Sequence, residues 1–307
     1  MIVAFHLANT NESSPAYKRL SALKTAFEEA GTATVWAHEP GGDKADLDYF
    51  SYPPFPRLKD LPRLLLARRP YVLEYRDGWA LAISTGYGNT VPAKRAKALL
   101  VGLIEAALRL RAYRVVTVTP GLLRWHGVAR TILLPNGSEI DFSVPRRDVD
   151  LSKNVLNVVC FGKFLSYGHS NVMAALETLS RRYEDKTLNI HVYSGVSEET
   201  DLEHQFANII VTRKDPVRPT SLIDFFACYD LGLAIIRDPD YDFGTKIFDY
   251  AQAGLPIVDY FDVYSDIKTF FAGAFDTDAA PVIQPDYSRA AMLATYDVAG
   301  FASGLEK

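Results

Sequence analysis

The chain of 307 residues is poor in several features that would identify a protein at once. It has two cysteines, Cys160 and Cys228, which lie far apart and each within an apolar run. Cysteines placed in this way are usually reduced core residues, so we expect neither a disulfide nor a thiolate metal site. No apolar run approaches the roughly 20 residues that span a bilayer, and the first residues show no basic leader or cleavage site. These absences predict a soluble, cytoplasmic protein.

Motifs of several enzyme classes are also lacking. The six histidines show no metal-ligand spacing, and the chain has neither a Gly-Lys-Ser/Thr phosphate loop nor a Gly-x-Ser-x-Gly nucleophile turn. The run from Ser84 to Val91 contains Gly-x-Gly, but Val91 occupies the position of the third glycine in a dinucleotide-binding fingerprint. We therefore expect no metal, no bound cofactor and no hydrolase of the nucleophile-turn type.

What is present is a globular composition, with 48% hydrophobic and 23% charged residues and enough length for two domains of roughly 150 residues. The net charge of −4 divides into +5 over residues 1–150 and −9 over the remainder. A basic band from Arg57 to Arg114 holds 12 basic and 4 acidic residues, with leucine runs between them. The band predicts either peripheral contact with an anionic membrane face or polyanion, or ordinary amphipathic helices with a solvated face.

Short apolar runs alternate with amphipathic stretches of ten to twenty residues, which is typical of βαβ units and parallel sheets. In the first half the predicted strands are 2–7, 32–37, 71–75, 114–118 and 130–134. The predicted helices are 15–30, 57–68, 92–111 and 119–126. The Gly-, Pro- and Asp-rich stretch 38–56 is predicted to form a long surface loop.

The alternation stops over residues 135–154, where a Pro-Asn-Gly turn precedes a polar, aperiodic stretch, and we place the domain boundary there. It resumes with strands predicted at 155–161, 187–193, 208–211, 230–236, 256–259 and 281–284. Helices are predicted at 169–183, 198–205, 219–227, 244–253, 265–272 and about 287–304.

This pattern predicts an α/β fold of two tandem Rossmann-like, doubly wound parallel sheets that face each other across a cleft. We expect an N-terminal domain of residues 1–145 and a C-terminal domain of residues 150–285. Residues 286–307 are expected to form a C-terminal helix that packs back toward the N-terminal domain. In such folds ligands bind where the strands end at their carboxyl side.

The segment from Asp238 to Val258 reads as an acidic loop, a helix, a glycine stop and a strand. Gly244 and Thr245 open the helix, where free backbone N–H groups and the positive dipole end suit a phosphate. Lys246 lies in the first turn, where a cation is unfavourable unless it faces an anion. Asp249 follows at i+3 and is able to accept hydrogen bonds from a ribose diol. An ordinary surface Lys–Asp pair is the alternative.

The run from Gly244 to Val258 resembles the C-terminal-domain signature of retaining GT-B glycosyltransferases, the group 1 superfamily related to glycogen synthase and sucrose synthase. Asp249 stands in place of the second glutamate of the family's E-x7-E pattern. The first glutamate falls on Tyr241, so the resemblance leaves its role to Asp240 or Asp242. The family's activity implies a nucleotide-sugar donor as co-substrate.

Three further segments support the resemblance. Val158 to His169 is similar to the family's first strand of the donor domain, with Gly162 and Lys163 at the position that contacts the donor diphosphate. Tyr167 replaces the second lysine there, so Lys246 is assigned in its place. Arg114–Leu122 with Ile132–Gly137 resembles the runs that close the first domain, and Val72–Trp79 resembles a strand-end loop facing the cleft.

The resemblance implies a mechanism in which Lys163, Lys246 and the helix start at Gly244 and Thr245 stabilise the departing diphosphate without a metal. Retention by front-face attack needs no side-chain base, so Asp77 would orient the acceptor or sugar during catalysis. The resemblance assigns donor binding to four further residues, Gly162, Asp242, Asp249 and His169. It places Arg76 and Asn9 on the acceptor side. A strand-end salt bridge is the alternative for Arg76 and Asp77.

Two other functions remain open at this point. Nucleotide-sugar epimerases share the architecture, and a fold does not dictate a reaction. A nucleic-acid-modifying transferase would use the basic band of residues 57–114, although the acidic total of −4 and the sparse aromatic residues of the band argue against it. The sequence specifies neither the sugar, nor the base, nor whether the acceptor is a glycan, a lipid-linked sugar or another hydroxyl.

Overall fold

The computed structural model describes residues 1–6, 12, 14–37, 44–52, 64–66, 68–84, 92–127, 129–140, 149–162, 164–165, 168–194, 206–217, 221–261, 265–275 and 285–297. The chain divides into two compact units. Unit 1 comprises Met1–Asn136 and Met292–Lys307, and unit 2 comprises Gly137–Ala291. Among the described helices, none is both long enough and apolar enough to cross a bilayer.

Unit 1 is built on a parallel sheet of six strands in the order β2-β1-β3-β4-β5-β6. The strands are β1 Ile2–His6, β2 Ala33–Ala37, β3 Leu47–Tyr52, β4 Tyr71–Tyr75, β5 Arg114–Thr117 and β6 Thr131–Leu133. The helices are α1 Pro15–Glu29, α2 Trp79–Ser84, α3 Pro92–Arg111 and α4 Pro120–His126. Because the chain leaves β1 first for β2 and then for β3 on its other side, the sheet is doubly wound.

Strand β3 corrects the sequence analysis, which placed residues 38–56 in a loop. Leu47–Tyr52 pairs with both β1 and β4, so the segment lies inside the sheet. Its polar side chains obscured the strand pattern, yet they are buried and bonded. Asp48 Oδ1 lies 2.8 Å from His6 Nε2, and Ser51 Oγ donates to Glu74 Oε2 at 2.6 Å. The prediction looked for alternating apolar residues, but this strand buries polar side chains that are hydrogen-bonded inside the sheet.

A buried ion pair fixes helix α1 to the sheet of unit 1. Arg19 Nε donates to Glu74 Oε1 at 2.8 Å, and Arg19 is only 4% exposed while Glu74 is fully buried. The other Arg19 nitrogens donate to the carbonyl oxygens of Leu134 and Pro135 at 2.7 Å each. The guanidinium therefore joins α1, β4 and the segment after β6 in one network.

Unit 2 contains a parallel sheet in the order β10-β7-β8-β9. Its strands are β7 Val155–Phe161, β8 Thr187–Tyr193, β9 Ile209–Lys214 and β10 Leu231–Gly232. Its helices are α5 His169–Arg182, α6 Leu222–Phe226, α7 Thr245–Gln252 and α8 Asp266–Phe270, and α9 Arg289–Ala294 contains the second division between the units. Parallel bridges from Gly232 to Ile257 and from Ile257 to Phe275 extend the sheet beyond β10.

The chain order along this sheet reverses between β7 and β10, because β8 and β9 lie on one side of β7 while β10, Ile257 and Phe275 lie on the other. This is the topological switch point of a doubly wound sheet. The prediction of two parallel, Rossmann-like α/β sheets is confirmed. The predicted strand 230–236 is shorter than expected, since only Leu231 and Gly232 form a ladder and the buried residues after them continue without one.

The two segments at which unit 2 begins and ends lie side by side. We call them the junction segments, residues 137–140 and 286–289. Ser138 N donates to Tyr287 O at 2.9 Å, and Arg289 N donates to Ser138 O at 2.8 Å, which forms a parallel bridge. A Cβ atom on Gly137 would lie 2.4 Å from Arg289 Cα, so the close approach requires glycine.

Candidate functional site

Two helices begin at the switch point of unit 2. Helix α5 follows β7 and starts from Gly168, and α7 follows β10 and starts from Gly244, with positive φ angles of 113° and 64°. Neither start has a side-chain cap, whereas Ser14, Thr119 and Ser221 cap α1, α4 and α6. Uncapped first-turn amides at the carboxyl edge of a parallel sheet form a favourable place for an anion.

The loop after β10 holds these two helix starts together. Asn171, in the first turn of α5, donates from Nδ2 to Ile236 O at 2.8 Å and to Arg237 O at 3.3 Å. A Cβ atom on Gly244 would lie 3.1 Å from Ile236 Cδ1, so the start of α7 packs on the same residue. Tyr260 Oη accepts from Ile236 N at 2.9 Å and donates to Ala234 O at 3.0 Å. Both helix starts therefore contact Ile236.

Lys246, Asp249 and Ser138 form a hydrogen-bonded cluster on α7. Lys246 Nζ donates to Asp249 Oδ2 at 3.1 Å, and Ser138 Oγ donates to Asp249 Oδ1 at 2.8 Å. Asp249 is 6% exposed, while the Lys246 side chain keeps 35% of its surface exposed. The predicted alternative of a Lys–Asp pair is thus present, but its carboxylate is buried. Both carboxylate oxygens accept internal hydrogen bonds, and the ribose contact of Asp249 stays a prediction.

An aromatic ring fixes the position of Lys246 relative to β7. Lys246 Nζ lies 4.9 Å from the centroid of the Phe161 ring, a cation–π distance. Phe161 N donates to Tyr250 Oη at 2.8 Å, and burial raises the pKa of the Tyr250 phenol well above its ordinary value. Tyr250 packs so closely on β10 that a Cβ atom on Gly232 would lie 2.7 Å from its ring. Gly232 therefore allows α7 to approach the end of β7.

A half-buried aromatic cluster adjoins Lys246 at the ends of β7 and β8. It consists of Phe161, Tyr193, Phe225 and Tyr229. The Phe161 and Tyr193 rings are stacked with centroids 5.6 Å apart, and Phe225 meets both of them edge-on. The hydroxyls of Tyr193 and Tyr229 are 2.7 Å apart. The sequence analysis missed this cluster, although aromatic residues at the last positions of two adjacent strands were a usable signal.

The structure places five of the predicted donor residues beside Lys246 or at the two helix starts. Gly162 has a φ of 111°, and a Cβ atom placed on it would lie 4.0 Å from Lys246 Cγ. Gly244 and Thr245 form the start of α7, and Asp242 Oδ1 accepts from Gly244 N at 3.0 Å, so Asp242 shapes the turn before that helix. His169 is the first residue of α5. Lys163 and Asn9 lie outside the described residues.

The predicted acceptor-side residues Arg76 and Asp77 lie in unit 1, directly after β4. Burial lowers the pKa of Arg76 from its ordinary value, although the negative charges of Glu74 and Asp77 oppose that shift. Arg76 Nε is buried and has no hydrogen-bond partner in the described part of the chain. Glu74, two residues earlier in the same motif, proves to be the structural partner of Arg19. Over the described residues, no group of three His, Cys, Asp or Glu side chains is arranged to hold a metal.

No family model matches the chain, and no curated protein matches it. Several solved structures match its fold. An α-glucosyltransferase in complex with UDP aligns with a TM-score of 0.50 at 9% identity, over 84% of this chain and 80% of that one. An α-glucosyltransferase in complex with UDP and a 13-mer DNA containing an HMU base aligns with a TM-score of 0.50 at 8% identity, over 84% and 79%. At this identity the likeness shows the fold, which is the GT-B-like pair of parallel α/β units.

Proposed function

We propose that this protein is a glycosyltransferase that moves a sugar from a nucleoside diphosphate sugar to an acceptor hydroxyl. The observation that carries the proposal is the pair of uncapped helix starts beside Lys246 at the switch point of unit 2. The fold supports it, and both matched α-glucosyltransferase structures hold UDP. A diphosphate leaving group is the ligand that backbone amides and a lysine at such an edge recognise.

The transferred sugar leaves behind a diphosphate on which negative charge develops as the glycosidic bond breaks. The first-turn amides of α7 at Thr245 and Lys246, together with the Lys246 ammonium, would stabilise that charge. Lys163 follows Gly162 in sequence and is proposed as the second cation. Because the α7 amides and Lys246 are already oriented before the donor arrives, they would stabilise the transition state without reorganisation.

Asp249 and Ser138 position Lys246 in this proposal. The ammonium group rests between the Asp249 carboxylate and the Phe161 ring, and its exposure leaves a donor hydrogen for a phosphate oxygen. Asp249 keeps its second oxygen on Ser138, so the carboxylate stays fixed when Lys246 contacts the donor. Asp249 therefore acts on the donor through Lys246 and, in the predicted ribose contact, directly.

The proposal also covers the stereochemistry of the transfer, its independence of metal and the residues on the acceptor side. We propose retention of configuration and a metal-independent reaction because the Gly244–Val258 run resembles retaining enzymes that use lysines at the diphosphate. Arg76 and Asp77, with Asn9, are proposed to orient the acceptor or the sugar from unit 1. The donor would bind in unit 2, and residues 286–307 would return the chain to unit 1.

Ligand binding to Lys246→Ala tests the donor site. For the unaltered protein, a nucleoside diphosphate at 100 times its dissociation constant should stabilise the fold by about 2.7 kcal/mol. We expect Lys246→Ala to weaken binding at least about tenfold, as loss of a charged hydrogen bond predicts. Lys24→Ala is the matched control, since Lys24 also pairs with a carboxylate three to four residues along its helix, that of Glu28, but lies in unit 1. If no nucleoside diphosphate or nucleotide sugar shifts the melting temperature, the proposal is wrong.

Product analysis separates sugar transfer from epimerisation. A transferase releases nucleoside diphosphate only when an acceptor or water takes the sugar, whereas an epimerase returns an altered nucleotide sugar without an acceptor. Incubating the protein with nucleotide sugars, and resolving the products by anion-exchange chromatography, distinguishes the two reactions. Epimer formation without diphosphate release would overturn the transferase proposal and leave the donor site intact.

A further inference from the structure

Helix α3 of unit 1 has two apolar faces. Its inward face packs Val101 and Leu108 into unit 1. Its outward face carries leucines that are between 60% and 72% exposed, namely Leu99, Leu100, Leu103 and Leu110. At 100° per residue these four leucines fall on one side of the helix, opposite the buried residues. An amphipathic helix that only covers a core carries polar residues there.

Positive charge flanks the outward leucines on both sides. By helical spacing Arg95 follows one flank of the helix, and Lys97 and Arg111 follow the other. Arg109, on the flank of Arg95, donates from Nη1 to His126 O at 3.1 Å, so its charge is directed toward α4. The one acidic residue in α3, Glu105, points inward. It accepts hydrogen bonds from Trp79 N at 3.0 Å and Ala80 N at 3.3 Å, at the start of α2. The exposed surface of α3 therefore combines leucine with cationic side chains.

A cavity of about 690 Å³ opens beside the outward face. Its walls come from α2, α3 and α4 and include Ala80, Leu99, Gly102, Leu103 and Trp125. The volume lies within the roughly 300–1,000 Å³ of ordinary ligand pockets, and the lining is apolar almost throughout. Trp125 is 44% exposed, so an indole ring stands at the edge of the leucine face.

We propose that this face binds an anionic lipid bilayer, with α3 lying in the plane of the headgroups. The four leucines would enter the acyl boundary, and the exposed side chains of Arg95, Lys97 and Arg111 would contact lipid phosphates. The cavity would accept an acyl chain. An amphipathic helix with leucine on one face and basic residues beside it binds membranes in this way. Indole rings such as that of Trp125 favour the interface between headgroups and acyl chains.

The charges of the face favour lipid over two other occupants. A second copy of the chain, paired about a two-fold axis, would bring identical basic flanks together, and like charges across an interface are unfavourable. A nucleic acid would satisfy the Arg and Lys side chains but not four exposed leucines, because nucleic-acid surfaces use basic and aromatic side chains. The inference does not depend on the proposed sugar transfer.

Vesicle co-sedimentation tests the proposal on the full chain. The probes are vesicles of pure phosphatidylcholine and vesicles of phosphatidylcholine with an equal amount of phosphatidylglycerol. We expect binding to the anionic vesicles that is at least about tenfold stronger than to the neutral ones and that weakens with added salt. The double variant Leu99→Gln, Leu103→Gln should bind anionic vesicles at least about tenfold more weakly. It removes apolar surface that the unaltered helix would bury in the bilayer.

A control variant and three further measurements complete the test. Ile210→Gln alters another exposed apolar residue, in unit 2, and should bind anionic vesicles as the unaltered chain does. Circular dichroism should show that both variants remain folded, because these side chains lie on the surface. Equal binding by the leucine variant would overturn the proposal. The proposal would also be overturned if the unaltered chain did not bind vesicles and instead formed dimers in sedimentation or bound a DNA duplex.

Discussion

The two units each contain an ion pair between a helix and its surroundings, and the two pairs differ in how much water reaches them. Arg19 in unit 1 is 4% exposed and its guanidinium contacts a carboxylate and two carbonyl oxygens. Lys246 in unit 2 has 35% of its side chain exposed and lies between Asp249 and an aromatic ring. The first cation is saturated by the fold, while the second is able to bind a further anion.

Burial of the cation, more than the presence of a partner, separates a structural ion pair from a candidate site. Burial alone would raise the pKa of Glu74, but the charges of Arg19 and Arg76 and the hydrogen bond from Ser51 outweigh it, so the net pKa is lowered. Removing one member of such a pair leaves an uncompensated buried charge. An exposed lysine that loses its partner is still hydrated.

The largest expected effect is therefore in unit 1. Arg19→Ala or Glu74→Ala should destabilise that unit by about 3–5 kcal/mol, because each leaves a buried charge unpaired. The three tryptophans of the chain, Trp36, Trp79 and Trp125, all lie in unit 1, so tryptophan fluorescence during urea unfolding reports on this unit. Lys24→Ala, which breaks the pair with the exposed carboxylate of Glu28, should cost less than about 1 kcal/mol, because water replaces the lost partner. Comparable losses of stability in all three variants would show that burial does not set the energetic weight of these ion pairs.

A second expected effect is a loss of unit 1 stability at mildly acidic pH. Burial, with the charge of Arg109, lowers the pKa of His126 to about 3. A histidine with a depressed folded pKa takes up a proton in the unfolded chain first, so stability falls as the pH drops from about 6.5 toward 3. At pH 5 the expected loss is about 2 kcal/mol relative to neutral pH.

The measurement is urea unfolding followed by tryptophan fluorescence at pH 7, 6 and 5. His126→Asn serves as the control, since asparagine does not titrate and its pH dependence over this interval should be flatter. Below about pH 4, protonation of Glu74 adds a second loss, because its folded pKa is also lowered. An unaltered protein as stable at pH 5 as at pH 7 would show that His126 is protonated in the fold.

The smallest expected effect concerns the cluster in unit 2. Ser138→Ala removes the hydrogen bond to the buried Asp249 and should destabilise unit 2 by about 1–2 kcal/mol. Ser152→Ala is the matched control, because Ser152 Oγ donates to the exposed Asp150 at 2.6 Å, where water replaces the lost bond. Far-UV circular dichroism during urea unfolding measures both. If the two serine variants behave alike, Asp249 is more hydrated than its burial implies.

The elements that the sequence predicted well are those whose burial pattern is local. Strands β7 and β8 and helix α3 were predicted at their observed bounds, since each is an apolar run or a periodic stretch with clear ends. The short helix α2 was missed because its first amides are bound by Glu105, 25 and 26 residues away. A pattern within a short stretch of sequence cannot predict a contact between residues so far apart.

The same distinction divides the candidate site. Gly244, Lys246 and Asp249 lie on one short segment, so a helix start with a lysine and a carboxylate was recognisable from the sequence. Ser138 reaches Asp249 across 111 positions of the chain, and the aromatic cluster draws on β7, β8 and α6. Residues of this kind become visible only when the sheet order is known.

The junction segments have a consequence for how unit 2 can be handled. Because residues 137–140 and 286–289 pair in parallel, the first and last segments of unit 2 are hydrogen-bonded to each other, as in an inserted domain. A short peptide joining residue 291 to residue 137 would close unit 2 into a covalent ring, and new termini in an exposed loop would then give a circular permutant. Such a ring would keep α7, Ser138 and Asp249 on one continuous chain, so the proposed donor site of unit 2 could be tested apart from unit 1.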